Sequence, residues 1–77
     1  LVLDELSMGL APIIVEELYA QVGELARTGI SVLVVEQFAR VVLGVADRAA
    51  IMLHGCVVSV GTPHQIESEL SSAYLGG

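Results

Sequence analysis

Asp4 and Glu5 are adjacent carboxylates that follow directly on three apolar residues, Leu1-Val2-Leu3. A short apolar run of this kind reads as a buried parallel strand. Open α/β sheets gather their ligands at the carboxyl ends of such strands. Two carboxylates placed there suit a hard cation such as Mg2+ and a base for water. On these two residues alone, a plain acidic turn explains the pattern as simply. A second polar pair, Glu36-Gln37, follows the apolar run Ile30-Ser31-Val32-Leu33-Val34-Val35. If that run is a strand parallel to the first, both polar pairs end on one sheet edge. This coincidence turns the acidic turn into a candidate site.

The elements that must position these pairs follow from spacing. Pro12 to Thr28 reads as a helix, with Pro12 at the first helical position and Glu16 and Glu17 near the positive end of the dipole. Ile14, Leu18, Val22 and Leu25 form an apolar stripe, and Glu17, Gln21, Glu24 and Arg27 are available for the wet face. Gly29 stands at the expected stop. The β-branched run 30–35 is expected to be a strand covered on both faces. Together with strand 1–3 and the helix between, it makes a parallel, right-handed β-α-β unit.

Beyond Gln37, a second helix is expected to Ala46, with Val41, Val42 and Val45 inward. Its valines lower intrinsic propensity, so packing must hold it. Asp47 and Arg48 mark a turn. Ala49 to Leu53 and Cys56 to Val60 read as strands joined by the tight turn His54-Gly55, hence an antiparallel hairpin. Thr62-Pro63-His64-Gln65 has the form of a capping box, and opens a short helix to about Leu70. Ser71 to Gly77 reads as a tail, with Tyr74 and Leu75 available to dock back. The fold class expected is α/β in a single domain piece.

Seventy-seven residues are marginal as an independent domain, yet 55% of them are hydrophobic and only 16% charged. The chain also starts on Leu1, inside a strand, and reads as a piece of a larger domain. A net charge of −6, with three Arg and no Lys, argues against nucleic-acid or anionic-membrane binding. No apolar run is long enough to span a bilayer, and no signal peptide is visible. Cys56 is the one cysteine, consistent with a reducing cytoplasm, and its apolar surroundings predict an inert buried thiol. His54 is expected in the exposed turn and His64 in the first turn of the last helix. Met8 is expected as a loop contact and Met52 as a core filler. No Cys/His pair has zinc-ligand spacing. Ser7 has no accompanying His at readable spacing, so a serine nucleophile is disfavoured.

Taken together, these residues resemble the ABC-type ATPases. Leu1-Val2-Leu3-Asp4-Glu5 resembles the family's second nucleotide-binding motif (Walker B), and Ser7-Met8-Gly9-Leu10-Ala11-Pro12 resembles its D-loop. The distance to Val34-Val35-Glu36-Gln37 matches that to the family's switch loop. Val57 to Ile66, with Gly61-Thr62-Pro63, is similar to the strand and helix that close the ATPase core. Ala73-Tyr74-Leu75-Gly76-Gly77 looks like the terminus of the ATPase subunits of branched-chain amino acid importers. The resemblance implies the C-terminal part of a P-loop NTPase core, from Walker B onward.

Carried over, the resemblance gives Asp4 the nucleotide's Mg2+, usually through water, and gives Glu5 the role of general base. Met8, Gly9, Leu10 and Ala11 would face a second ATPase subunit across a head-to-tail dimer. Gln37 stands where most of the family has a γ-phosphate-sensing histidine. Its amide can hydrogen-bond a phosphate oxygen but carries neither proton nor charge. Implied cofactors are ATP and Mg2+; implied partners are the second ATPase subunit and membrane permease subunits, on the inner face of the cell membrane without insertion.

Three positions depart from the pattern: Leu6 replaces a proline, Ala11 an aspartate, and Gln37 the histidine. The last two resemble the branched-chain importers; Leu6 is unaccounted for. The 77 residues hold no G-x-x-x-x-G-K-[ST] loop and no Leu-Ser-Gly-Gly-Gln signature. ATP hydrolysis powering an importer is therefore expected of a complete subunit, and inactivity of this chain alone. The alternatives are a non-catalytic remnant acting as an interaction piece, or an ATPase of this type serving another cargo.

Overall fold

A computed structural model describes residues 1–75 of the chain, with side chains through Ser72. It is a mixed α/β structure with two small sheets, divided into two compact units between Val45 and Ala46.

In the first unit the apolar runs form β1 (Val2–Asp4) and β2 (Leu33–Val35), joined through α1 (Pro12–Arg27). The strands pair in parallel, with Val2 opposite Leu33, Leu3 opposite Val34 and Asp4 opposite Val35. Backbone bonding starts before the ladder, since the Leu1 amine donates to Ser31 O at 2.9 Å and Leu33 N to Leu1 O at 2.8 Å. The expected β-α-β order with parallel strands is present.

Coverage of the second strand differs from expectation. Side chains alternate across a strand, and here Leu3 and Val34 turn toward α1 while Val2, Leu33 and Val35 are exposed. Within this unit one helical layer packs on the sheet, so one face is covered where two were expected.

The stripe on α1 is also displaced. Val15, Tyr19 and Val22 are buried, and Leu3, Leu6, Val32, Val34, Val41, Val42 and Val45 pack against them. Ile14 and Leu25, expected inward, are exposed. The helix is apolar on more than one side, so spacing alone left the face undetermined, and the face bearing Tyr19 is the one that packs inward. A tyrosine buries a large apolar ring, provided its hydroxyl finds a partner. Ala11 caps the helix without a side-chain bond, and the first turn holds no acid, so Glu16 and Glu17 lie past the reach assigned to them. Thr28 and Gly29 close it through their N–H groups to Leu25 O and Ala26 O.

The second helix, α2 (Ala39–Leu43), is shorter than the expected 37–46. Adjacent Val41 and Val42 in so short a stretch disfavour propagation, and their contact with the core holds what remains.

The second unit follows expectation more closely. Here β3 (Ala49–Leu53) and β4 (Cys56–Gly61) form the antiparallel hairpin. His54 and Gly55 both have positive φ, 51° and 78°, as a two-residue hairpin turn requires. The register slips between Ile51 and Met52, a bulge that leaves Val58 without a partner. The capping box forms as read: Thr62 N donates to Gln65 Oε1 at 2.9 Å, and Gln65 N to Thr62 Oγ1 at 3.2 Å. It opens α3 (Pro63–Leu75), which outruns the expected stop at Leu70. Most of the expected tail is thus helical; Gly76, Gly77 and the side chains of Tyr74 and Leu75 lie outside the described residues.

Ile66 of α3 is buried, and Ser59 donates to Glu69 at 2.8 Å, so the helix covers one face of the hairpin. The other face is exposed. This corrects two expectations: Cys56 is an exposed thiol, and Met52 is 57% exposed and fills no core.

Candidate functional site

The parallel register brings the two polar pairs to one edge. Asp4 pairs with Val35, and Glu5 N donates to Val35 O at 2.7 Å, so Glu5 and Glu36 follow side by side. Asp4 is exposed and Glu5 half-buried. Glu5 takes φ 51°, the left-handed region that a β-carbon disfavours. The chain then reverses through Met8 N to Glu5 O at 3.2 Å and Leu10 N to Ser7 O at 3.1 Å, delivering Pro12 to the start of α1. Met8, Gly9, Leu10 and Ala11 all lie on the surface of this turn. Leu6 packs against the α1 core, the physical reason for an apolar side chain there.

Gln37 is exposed and lies ahead of α2 in the loop after β2. Its N–H donates to Glu36 Oε1 at 3.1 Å. Among the described residues, the carboxylates of Asp4 and Glu5 and the amide of Gln37 have no hydrogen-bond partner, which leaves their polar atoms open to a ligand.

Glu36 is the opposite case. Its carboxylate accepts from Ser7 Oγ at 2.6 Å, Ser7 N at 3.2 Å and Tyr19 OH at 2.6 Å. Ser7 is 5% exposed and Tyr19 1%. Partial burial pushes the Glu36 carboxyl up, but the donors from Ser7, Tyr19 and Phe38 outweigh it and hold it below the usual carboxylate range. Burial, and then the bond to Glu36 and its charge, raise the Tyr19 hydroxyl well above its usual value. Sequence reasoning placed Glu36 at the strand end without a partner, weighed Ser7 as a D-loop residue and as a nucleophile, and passed over Tyr19. The one available signal was Tyr19 itself, four residues from Val15 and three from Val22 on the core face of the helix.

Among the described residues, no three His, Cys, Asp or Glu side chains cluster closely enough to cage a metal. The open donors are one or two carboxylates. That set fits Mg2+, which keeps most of its waters and takes further ligands from phosphates, and does not fit a cation needing an all-protein shell. Beside the turn lies a depression of about 150 Å3 lined by Ser7, Leu10, Pro12, Val15, Glu16, Phe38 and Val41. Sites for drug-sized ligands run to about 300 Å3 and more. The depression is smaller than that, and Asp4, Glu5 and Gln37 are not among its lining residues. None of the described helices is long and apolar enough to cross a membrane.

No protein-family model matches the chain. Known relatives do. Over its whole length the chain is 40% identical to the high-affinity branched-chain amino acid transport ATP-binding protein BraG of Pseudomonas aeruginosa, and spans 34% of it. It is 37% identical over 99% of its length to a probable ABC transporter ATP-binding protein of Azorhizobium caulinodans, spanning 28% of that protein. To the lipopolysaccharide export system ATP-binding protein LptB of Acidithiobacillus ferridurans it is 35% identical over 99%, spanning 32%. The chain covers about a third of the length of these relatives.

Proposed function

The chain belongs to the ABC transporter ATP-binding proteins, and from that premise we propose that it supplies the metal-and-water wall of an ATP-hydrolysing site. Asp4 would hold Mg2+, through water, and the ion supplies neutralisation of phosphate charge when bound. Glu5 orients the attacking water and accepts its proton, and Gln37 donates its amide to a phosphate oxygen. Phosphoryl transfer needs charge neutralisation and a positioned water more than covalent help from the protein. The observation that carries this reading is the register Asp4–Val35, which sets Asp4-Glu5 beside Glu36-Gln37, with the side chains of Asp4, Glu5 and Gln37 unpartnered among the described residues.

In this reading the arrangement is a P-loop NTPase core from Walker B onward, with residues 8–11 as the D-loop, exposed to meet a second ATPase subunit head to tail. The complete subunit would power an importer, with branched-chain amino acids as the first cargo to try, given the likeness to BraG. It would sit in the cytoplasm, held at the membrane by permease subunits. Because the 77 residues lack a lysine and a phosphate-cradling loop, the chain alone neither binds ATP usefully nor hydrolyses it.

Expressing the complete subunit that bears this sequence and replacing Glu5→Gln tests the assignment. Loss of ATP turnover with nucleotide binding retained is expected, and an unchanged rate removes Glu5 from the base role. Micromolar ATP affinity of the 77-residue chain in calorimetry would contradict its expected inactivity. The likeness to LptB favours a second reading, the same chemistry serving a different cargo. Reconstituted uptake of branched-chain amino acids separates the two.

A further inference from the structure

Glu36 is bound into the protein, while its neighbour Gln37 and its counterpart Glu5 are open. Only a carboxylate accepts from two hydroxyls and several N–H groups together; a glutamine in its place has one acceptor oxygen. The two hydroxyl donors are nearly excluded from solvent, and hydrogen bonds to a charged acceptor in such surroundings are short and strong. Ser7 lies two residues past Glu5, and Glu36 immediately precedes Gln37. The Ser7–Glu36 pair therefore ties together the two loops that bear the open groups, and Tyr19 ties the same carboxylate to the middle of α1. Glu5 also holds a left-handed conformation, which persists where its surroundings over-determine it.

We propose that Glu36, held by Ser7 and Tyr19, is a positioning residue that locks the turn bearing Asp4 and Glu5 to the loop bearing Gln37, giving the water-handling carboxylate and the phosphate-contacting amide one frame. The inference rests on the roles proposed above for Glu5 and Gln37. Glu36 touches neither water nor phosphate; it acts through its neighbours.

The test uses the complete subunit. kcat and KM for ATP-Mg2+ are measured for Glu5→Gln, Ser7→Ala, Tyr19→Phe and Glu36→Gln, each normalised to the sites that bind a non-hydrolysable ATP analogue. Misplacement on the ångström scale costs roughly ten- to a hundred-fold in rate. Ser7→Ala and Glu36→Gln are expected to lower kcat per competent site by about tenfold or more, and Tyr19→Phe by several-fold, with KM within about twofold. A merely structural role would lower the number of competent sites and leave kcat per site unchanged. Ser7→Ala and Tyr19→Phe each delete one hydroxyl and keep the surrounding packing, so they decide the matter even if Glu36→Gln fails to fold. With Glu5→Gln inactive, an unchanged kcat per site in either hydroxyl variant overturns the positioning role and leaves the proposed function standing. Full turnover in Glu5→Gln overturns both.

Discussion

The two units of the chain are built on opposite principles. In the second, the organising bonds are local: a two-residue turn, a capping box spanning three residues, and Ser59 to Glu69 ten residues apart. In the first, the organising bonds reach from Ser7 to Glu36, 29 residues on, and from Tyr19 to Glu36, 17 residues on. The lesson concerns where polar groups are tolerated. The second unit keeps its polar partners near the surface, whereas the first places a charged carboxylate against two buried hydroxyls at the edge proposed to do chemistry. Non-local contacts must meet the loop-closure cost before they return any stabilisation. The first unit should therefore be the more fragile, and perturbing its network should cost more than perturbing any device of the second.

The sharpest way to break that contrast is Tyr19→Ala. It removes a ring that is 1% exposed and leaves Glu36 short of a donor, at a cost of about 3–5 kcal/mol. Hydrogen exchange should rise through residues 1–45 while the hairpin amides stay protected. Equal loss in both units would sink the contrast.

Next in size is acid. The Glu36 carboxyl lies below its unfolded value, so its contribution is fully present above the unfolded value near 4.5 and is lost as pH falls through the lower folded value. The Tyr19 hydroxyl lies above its unfolded value of 10, so its contribution is present below pH 10 and declines above it. Urea midpoints followed against pH should fall at both ends, and Glu36→Gln should flatten the acid limb. An acid limb unchanged by that substitution would show that other carboxylates set it.

Gly55→Ala tests the turn. Nothing lies within 4 Å of an added β-carbon, so the cost is the left-handed backbone alone, about 1–2 kcal/mol. Faster exchange confined to β3 and β4 is the expected readout.

Smaller again is Thr62→Ala, which removes the cap on Gln65 N for about 1 kcal/mol. Gly61→Ala should cost about as much by another route, because its β-carbon would meet Gln65 Oε1 at 2.5 Å and push that side chain out of the capping box. Circular dichroism on unfolding should show the two variants alike, and their double variant nearly no worse than either. Full additivity would mean that they act on separate features.

Much of the fold was legible because its signals are short in range. Ala49–Leu53, the His54-Gly55 turn and the Thr62–Gln65 box are each written in a handful of adjacent residues. The first unit was legible only in outline. Pro12 marked the start of α1, but Ile13, Ile14 and Val15 offer three consecutive apolar positions, and the face that turned inward was chosen by what lay opposite. Cys56 and Met52 read as core from their apolar neighbours, yet a hairpin covered on one side exposes them.

By itself the sequence determined that Asp4-Glu5 and Glu36-Gln37 end parallel strands on one edge, since apolar runs, a proline-started helix and β-α-β handedness leave little freedom. It did not separate the pairs' two halves. Only the tertiary structure decided that Glu36 is bound while Glu5 and Gln37 stay open, because that depends on Ser7 and Tyr19 arriving from positions 29 and 17 residues away. A carboxylate's partners are set by three-dimensional proximity, and no periodicity along the chain encodes them.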